Sequence, residues 1–323
     1  MAFKKTESGK LAIEYIKKYA SELSKKAIAE MLVRDRPDLY TCVEAARSLV
    51  RHYTGNKGGV SLKYIDNNKL FFSGYPEPEE FQMFYDLKQE KAKVLVIGDA
   101  HVPFHDKTAL DLAMNYGVRV GADVIILNGD NFDHYSESSF EQDPKKRDPE
   151  YDYQQYQDFL FEIECAFPDA KKIFKRGNHE ARWEKWFIRN GMGKHLGIPH
   201  FEYSNVMGLS EFDVLDHQTT IKIGKFNLIH GHEYVGGGGI NPARWLSLRT
   251  HEPSACGHFH RSSEHTDKKH RGEMVTYWSF GCLCTLTPRY RPYNNWNHGF
   301  GFIIKEGEEF LVKNKRIWNN RIV

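Results

Sequence analysis

The segment Val94-Leu95-Val96-Ile97-Gly98-Asp99-Ala100-His101 decides the fold. Four consecutive apolar residues, three of them β-branched, are expected of a strand buried on both faces. The run stops at a glycine and passes at once to a carboxylate and an imidazole. A buried strand that ends on such side chains places a ligand cluster at its carboxyl end.

The same arrangement recurs outward along the chain. Val124-Ile125-Ile126-Leu127 precedes Gly129-Asp130-Asn131-Phe132-Asp133, and Lys172-Ile173-Phe174 precedes Gly177-Asn178-His179-Glu180. Helical stretches from about Lys107 to Val120 and from Tyr151 to Ala166 separate these strands, and Ala181 to Arg189 opens another. After about residue 200 the apolar runs are short and separated by turns, as in Thr220-Ile221-Lys222-Ile223 and Phe300-Gly301-Phe302-Ile303-Ile304, with one helix near Pro242 to Leu248. Strand–helix alternation followed by strands predicts an α/β core with sheets packed face to face. No internal repeat at a fixed period is present.

The chain has 323 residues, of which 40% are apolar, enough for one large domain and a small one. A net charge of +2 excludes no class of partner. The charge is uneven, however. Residues 1–60 carry 12 Lys or Arg against 7 Asp or Glu. This basic end reads as three helices. Leu11, Ile13, Tyr15, Ile16 and Tyr19 mark the first; Ser24 caps the second, which Pro37 breaks; the third runs from about Tyr40 to Tyr53 and ends at Gly55 and Gly58-Gly59. The pattern resembles a helix-turn-helix module, with Arg47 and Arg51 on its third helix as candidate nucleic-acid contacts. A docking or oligomerisation bundle has the same signature. Residues 61–90 read as a linker containing Tyr75-Pro76-Glu77-Pro78, and 91–323 as the α/β domain.

The 5 cysteines match no disulfide framework or zinc knuckle and read as small buried hydrophobes in a reducing compartment. No secretory segment opens the chain and no apolar run approaches the ~18 residues of a membrane span. The expectation is a cytoplasmic protein without membrane attachment. The oligomeric state has no sequence signal.

Two further blocks complete the set: His230-Gly231-His232 and Gly257-His258-Phe259-His260. Asp99 and His101 stand at i and i+2, so both are expected to reach one ion, and His258 and His260 repeat that spacing. Asp130 has two carboxylate oxygens and can bridge two cations. Two carboxylates, one amide oxygen and up to four imidazoles suit borderline divalent ions such as Mn, Fe, Zn or Ni. One ion does not need so many donors, whereas two ions roughly 3.5–4 Å apart use them all.

The five ordered blocks resemble the calcineurin-like metallophosphoesterase superfamily, whose pattern is Asp-x-His, Gly-Asp-x-x-Asp, Gly-Asn-His-Asp/Glu, His, Gly-His-x-His. The resemblance spans about residues 93–305 and implies a double β-sandwich flanked by helices. It implies that Asp99, His101 and His260 bind one ion, that Asn178, His230 and His258 bind the other, and that Asp130 bridges them. It implies two divalent transition-metal ions, Mn foremost with Fe, Zn or Ni as alternatives. His179 would act on the substrate as acid or charge stabiliser, and Asp133 would orient its ring. The implied activity is hydrolysis of phosphoesters by a hydroxide held between the ions.

The family spans several substrate classes, so membership does not choose one. Arg176-Gly177-Asn178-His179-Glu180 resembles the Ser/Thr phosphatase version, but those enzymes place an arginine where this chain has His134. His134 and His232 are candidate substrate contacts. Four glycines, Gly236 to Gly239, mark a flexible loop after His232. Tyr277, Trp278, Arg289, Tyr290, Arg291, Tyr293, Trp296 and His298 supply aromatic and arginine side chains suited to stacking on bases. This carboxyl segment and the helical amino end resemble metallophosphoesterases of bacteriophages and related bacterial elements, which would place the enzyme in a host cytoplasm. The reading is therefore a phosphodiesterase or nuclease acting on nucleic acid, brought to DNA by residues 1–60. The alternatives are a phosphomonoesterase for phosphoproteins or small metabolites, and a non-catalytic binding protein that keeps the fold.

Overall fold

The computed structural model describes residues 6–54, 80–140, 143, 148–237 and 239–323. They fall into two compact units, Met1–Glu80 and Phe81–Val323.

The first unit holds α1 (Glu7–Tyr19), α2 (Lys25–Asp35) and α3 (Val43–Thr54). Thr6 and Ser24 cap the first two through their hydroxyls, which accept from Gly9 N at 3.3 Å and Ala27 N at 3.2 Å. Ala12, Ile28, Leu32, Tyr40, Ala46 and Val50 form the core. The third helix begins at Val43 rather than at Tyr40. Tyr40 is buried instead in the link that contains Pro37, and its hydroxyl donates to Ser8 O at 2.6 Å. Gly55, Gly58-Gly59 and Tyr75 to Pro78 lie outside the described residues.

The second unit runs β1 (Phe84–Asp86), β2 (Lys91–Ile97), α4 (Lys107–Val120), β3 (Val124–Asn128), α5 (Pro149–Ala166), β4 (Lys171–Lys175), α6 (Ala181–Arg189), α7 (Tyr203–Val206), β5 (Asp213–Leu215), β6 (Thr220–Ile223) and β7 (Phe226–Leu228). It continues with α8 (Pro242–Thr250), β8 (Ser254–Cys256), β9 (Ser263–Lys268), β10 (Met274–Ser279), β11 (Gly299–Glu306), β12 (Glu309–Trp318) and β13 (Arg321–Ile322). A seven-stranded sheet has the order β13-β12-β11-β2-β3-β4-β5, and a six-stranded sheet the order β1-β6-β7-β8-β10-β9. Strands β2 to β5 are parallel neighbours. Strand β1 pairs with β6 and lies within the 61–90 stretch that the sequence reads as a linker; residues 61–79 of that stretch are outside the described residues.

Alternation along β2 explains its unbroken apolar run. Leu95 and Ile97 face α4 and α5, packing in one cluster with Ala109, Ala113, Tyr156 and Leu160. Val94 and Val96 face the other sheet, in a cluster with Ile221, Ile223, Phe226 and Leu228. Helix α8 covers the far face of the six-stranded sheet through Ala243 and Leu246, against Val275 and Tyr277. The result is helix, sheet, sheet, helix, the double β-sandwich of the sequence reading. Each fully buried aliphatic side chain adds about 1.5–3 kcal/mol to this packing. Cys256, Cys282 and Cys284 are buried as expected, but Cys42 and Cys165 are exposed. No helix of the described residues is long and apolar enough to cross a membrane.

The two sheets position the site. The five blocks follow directly or within two residues the carboxyl ends of β2, β3, β4, β7 and β8.

Candidate metal centre

The backbone at the blocks is unusual. Asp99, His101, Asp130, His134, His258 and His260 all have positive φ, between 50° and 64°. Such conformations cost of order 1–3 kcal/mol for a residue with a side chain and cluster at functional sites. Asp99 and His101 therefore converge through two left-handed residues rather than through strand alternation. Two of the block glycines are required by close approach. A Cβ at Gly177 would meet Asp130 N at 2.5 Å, and one at Gly257 would meet Asp99 Oδ2 at the same distance.

The first cluster centres on His260. Its Nε2 lies 3.1 Å from Asp99 Oδ1 and 3.2 Å from His101 Nε2. Two imidazole nitrogens binding one ion at ~2.0–2.1 Å stand about this far apart. The second oxygen of Asp99 accepts from His258 N at 2.9 Å, which ties the first block to the fifth. Nδ1 of His101 meets Asp133 Oδ2 at 3.0 Å, and Nδ1 of His260 meets the Cys284 thiol at 3.7 Å.

The second cluster groups Asp130, His230 and His258, whose donor atoms lie within 4.8 Å of one another. His230 Nδ1 donates to the carbonyl of Asn128 at 2.7 Å, which turns its Nε2 towards Asp130 Oδ2, 3.2 Å away. The other oxygen of Asp130 accepts from His179 N at 2.8 Å.

Charge in the centre is unbalanced without a cation. Burial opposes charge on His230, yet the Asp130 and Asp99 carboxylates hold its pKa up at about 9. Burial likewise opposes charge on His260, and Asp99 holds it up at about 10. Burial and the neighbouring His230 push His258 down to about 4.

The donor set fits divalent ions on a separate ground. Asp99 Oδ1, Asn178 Oδ1, His230 Nε2 and His258 Nδ1 are buried polar atoms without a hydrogen-bond partner. An unpaired buried polar atom is costly, so four on one small set of side chains call for a ligand. Oxygen and imidazole donors together suit a first-row divalent ion.

A model of the calcineurin-like phosphoesterase family matches residues 92–281, which contain all five blocks. The chain belongs to that family. It is accordingly a metal-dependent hydrolase of phosphoester bonds, and the family binds two divalent ions. Among solved structures, vacuolar protein sorting 29 from Cryptosporidium parvum is similar at 12% identity, over 73% of this chain and 96% of that one, with a TM-score of 0.41. The phosphoesterase Yfce from E. coli is similar at 12% identity, over 72% and 96%, with a TM-score of 0.36. A dimetal phosphatase from Danio rerio is similar at 12% identity, over 69% and 95%, with a TM-score of 0.36. No curated protein matches the chain at a significant level.

Around the family's ligand set, the other sequence-selected residues divide. His179 lies against the first cluster, its ring 4.4 Å from that of His101. Its Nδ1 donates to Asp133 O at 3.0 Å and lies 3.3 Å from Asp133 Oδ2. Asp133 therefore serves two imidazoles, His101 through its carboxylate and His179 chiefly through its carbonyl. Burial lowers the pKa of His179, but the carboxylates of Asp130 and Asp133 outweigh it and raise it. His232 lines the side of the second cluster, with Nε2 3.0 Å from His217 Nδ1 and its Nδ1 buried without a partner. His134 is 1% exposed, packs against Tyr156, Trp183 and Tyr203, and spends its ring nitrogens on Tyr203 OH at 2.9 Å and Glu137 at 3.3 Å. Its ring is packed among core side chains. In the amino-terminal unit, Arg47 and Arg51 both pair with Glu44, at 3.6 and 3.3 Å.

Three supporting residues escaped the sequence reading. Glu180 is fully buried, and its carboxylate accepts from the backbone of Asp130 (2.9 Å), Asn131 (2.8 Å), Phe132 (3.1 Å) and Gly177 (2.6 Å). It staples the second block to the third. Glu233 does the same for the fourth, accepting from His230 N at 2.8 Å and Gly231 N at 2.6 Å while paired with buried Lys175 at 2.7 Å. Burial works against this carboxylate, yet Lys175 and His232 hold its pKa down at about 2. Arg182 sits on the first turn of α6. It donates to Asp133 O at 2.8 Å and stands 2.9 Å from His179 Nε2. Its position three residues after His179, at a helix start, was the available signal.

Proposed function

We propose that this enzyme hydrolyses phosphodiesters in nucleic acid. In this reading Asp99, His101 and His260 hold one divalent ion, Asn178, His230 and His258 the other, and Asp130 both, with Mn the best suited and Fe, Zn or Ni as alternatives. Bound there, two ions would neutralise phosphoryl oxygens and acidify a water at neutral pH. His179 contributes a ring nitrogen beside the reacting phosphate, and Asp133 holds that ring and the ring of His101 in place. His232 borders the substrate on the side of the second ion.

The observation that carries the choice of substrate is the aromatic rim. Trp296 lies on the ligand His260, ring centres 4.2 Å apart, with the Arg291 guanidinium 5.9 Å from the Trp296 ring. Tyr290 stands 6.4 Å from Trp296 and is 74% exposed; Tyr293 is 95% exposed. Exposed aromatic rings with interleaved arginines beside a phosphoester site suit a single strand, whose bases stack while its backbone reaches the ions. Arg261 joins this rim to the glycine-rich loop, donating to Ile240 O at 2.6 Å and Asn295 O at 3.3 Å. The basic residues 1–60, with Arg47 and Arg51, complete the proposal as the element that carries the enzyme to DNA.

The test is hydrolysis by the Mn-loaded enzyme of bis-para-nitrophenyl phosphate, para-nitrophenyl phosphate and a labelled single-stranded DNA. Cleavage of the diester and the DNA is expected, with DNA cleavage reduced in Trp296→Ala. Monoester turnover alone would refute the nucleic-acid reading. Salt-dependent binding of duplex DNA by the full chain, weakened in Arg47→Glu/Arg51→Glu, is the expected behaviour of the amino-terminal helices.

A further inference from the structure

We infer that Arg182 is the residue that grips the substrate phosphate, offered from the first turn of α6 rather than from the end of the second block. The inference rests on phosphoester hydrolysis at this centre, not on the choice of nucleic acid. The second block has no arginine beyond Asp133, and His134 in that place is turned into the core. Arg182 stands at the centre instead. Its Nη1 donates to Asp133 O at 2.8 Å, and its Nη2 lies 2.9 Å from His179 Nε2.

Its partners are what make it available. A guanidinium retained only for structure is best matched by a carboxylate taking two of its N–H groups side by side. Asp133 Oδ1 pairs with it at 3.5 Å, through one oxygen and at a distance longer than the ~2.7–2.9 Å of a strong charge-assisted bond. That carboxylate is directed instead at His101 and His179, at 3.0 and 3.3 Å. Arg182 makes its two hydrogen bonds to a carbonyl and a ring nitrogen, and its one ion pair is the single contact to Asp133, so the two N–H groups of its fork are not taken side by side by a carboxylate. Its side chain is 16% exposed, so it is largely desolvated while still open to a ligand. A phosphoryl group arriving there finds a forked cation facing it from the side of His179, and takes up Nη2 in exchange for the His179 ring nitrogen.

Inorganic phosphate titrated calorimetrically into the Mn-loaded full-length enzyme tests this directly. Arg182→Gln removes the charge and keeps a donor for Asp133 O, which guards against the misfolding that Arg182→Ala risks. Both variants are expected to bind phosphate about 10- to 100-fold more weakly than the parent, because charge-assisted paired hydrogen bonds are lost. Metal content and melting temperature are expected to hold, and KM for the diester to rise with the phosphate dissociation constant. Arg182→Lys should recover part of the affinity, since an ammonium is a point charge without the fork. Unchanged phosphate binding in Arg182→Gln would overturn the inference. Loss of metal in the same variant would overturn it too, because Arg182 would then act by holding Asp133. Diester-free, monoester-only activity would leave the phosphate result standing and refute only the nucleic-acid reading.

Discussion

Glu180→Gln isolates the part of the centre that the ligands themselves do not explain. One carboxylate oxygen of Glu180 accepts from Asp130 N and Gly177 N, and the other from Asn131 N and Phe132 N. Glutamine has the same shape but a single acceptor oxygen. Whichever way its amide turns, two of the four N–H groups lose their acceptor and face an NH2 donor instead. A buried donor left unsatisfied costs about 1–3 kcal/mol, so the substitution costs roughly 2–6 kcal/mol. For a unit of this size each kcal/mol lowers the melting temperature by about 2–4 °C, which gives a loss of roughly 8–16 °C at the middle of that range. Asp130 and Asn178, ligands in the proposed centre, flank the broken staple, so metal retention is expected to fall with stability. The assay is calorimetric melting together with metal analysis after dialysis. A variant that melts within about 2 °C of the parent and keeps two ions per chain would refute the reasoning.

Asp130→Asn should reduce metal-dependent hydrolysis by more than the ~10–100-fold typical of outer-shell partners, because in the proposed ligand set one side chain serves both ions; metal content per chain and turnover are read together. Lys175→Met leaves Glu233 buried without its partner and should cost about 3–5 kcal/mol at pH 7 by denaturant unfolding. Glu233 is held at about 2, below its ordinary 4.5, so this contribution is present above pH 4.5 and the gap to the parent should narrow as pH falls from there towards 2. Burial raises Asp152 from 3.8 to about 6, so the folded state prefers its proton and loses stability as pH rises through that window. Asp152→Asn should therefore melt above the parent beyond pH 6, by about 1 kcal/mol after allowance for water access, with the difference vanishing near pH 4. Metal uptake at pH 8 should release up to two protons per chain in weak buffer, since His230 and His260 are held protonated at about 9 and about 10 until an ion replaces their protons.

The parts of the molecule that were legible in the sequence are those set by local pattern. Val94 to Ile97 announced a strand buried on both faces, and the two sides of β2 do face two different clusters. Helix α4 begins at Lys107, after its Asp106 cap, and ends at Gly121 in the left-handed conformation. Each block was visible because ligand residues sit beside a glycine at a strand end. What was not legible depends on residues far apart in the chain. Glu233 meets Lys175 across 58 positions, and Glu180 reaches back 50 to Asp130. Neither pairing leaves a periodicity to read. Strand β1 is three residues long and half exposed, and becomes a strand only because Thr220 to Lys222 offers it an edge. His134 stands next to site residues in the sequence, yet its side chain lies against Tyr203, a contact 69 positions away that local pattern does not reveal.

The strained residues and the supporting carboxylates belong to one design. Six left-handed residues at of order 1–3 kcal/mol each are a large destabilisation for a folded unit to absorb at one end. They persist only where other contacts over-determine them. Asp130 is such a case: its backbone N–H goes to Glu180, one of its oxygens takes His179 N, and Gly177 clears the space beside it. Asp99 is another, with its N–H on Gly129 O and an oxygen on His258 N. In both, the bonds run from one block to another rather than within a block. The five blocks therefore hold each other's geometry, and a ligand cannot be displaced without loosening its neighbours. This reciprocity accounts for how side chains from two sheets keep four buried polar atoms without a hydrogen bond. An ion bound by these donors would meet an arrangement already formed, and less of its binding energy would go into ordering the loops.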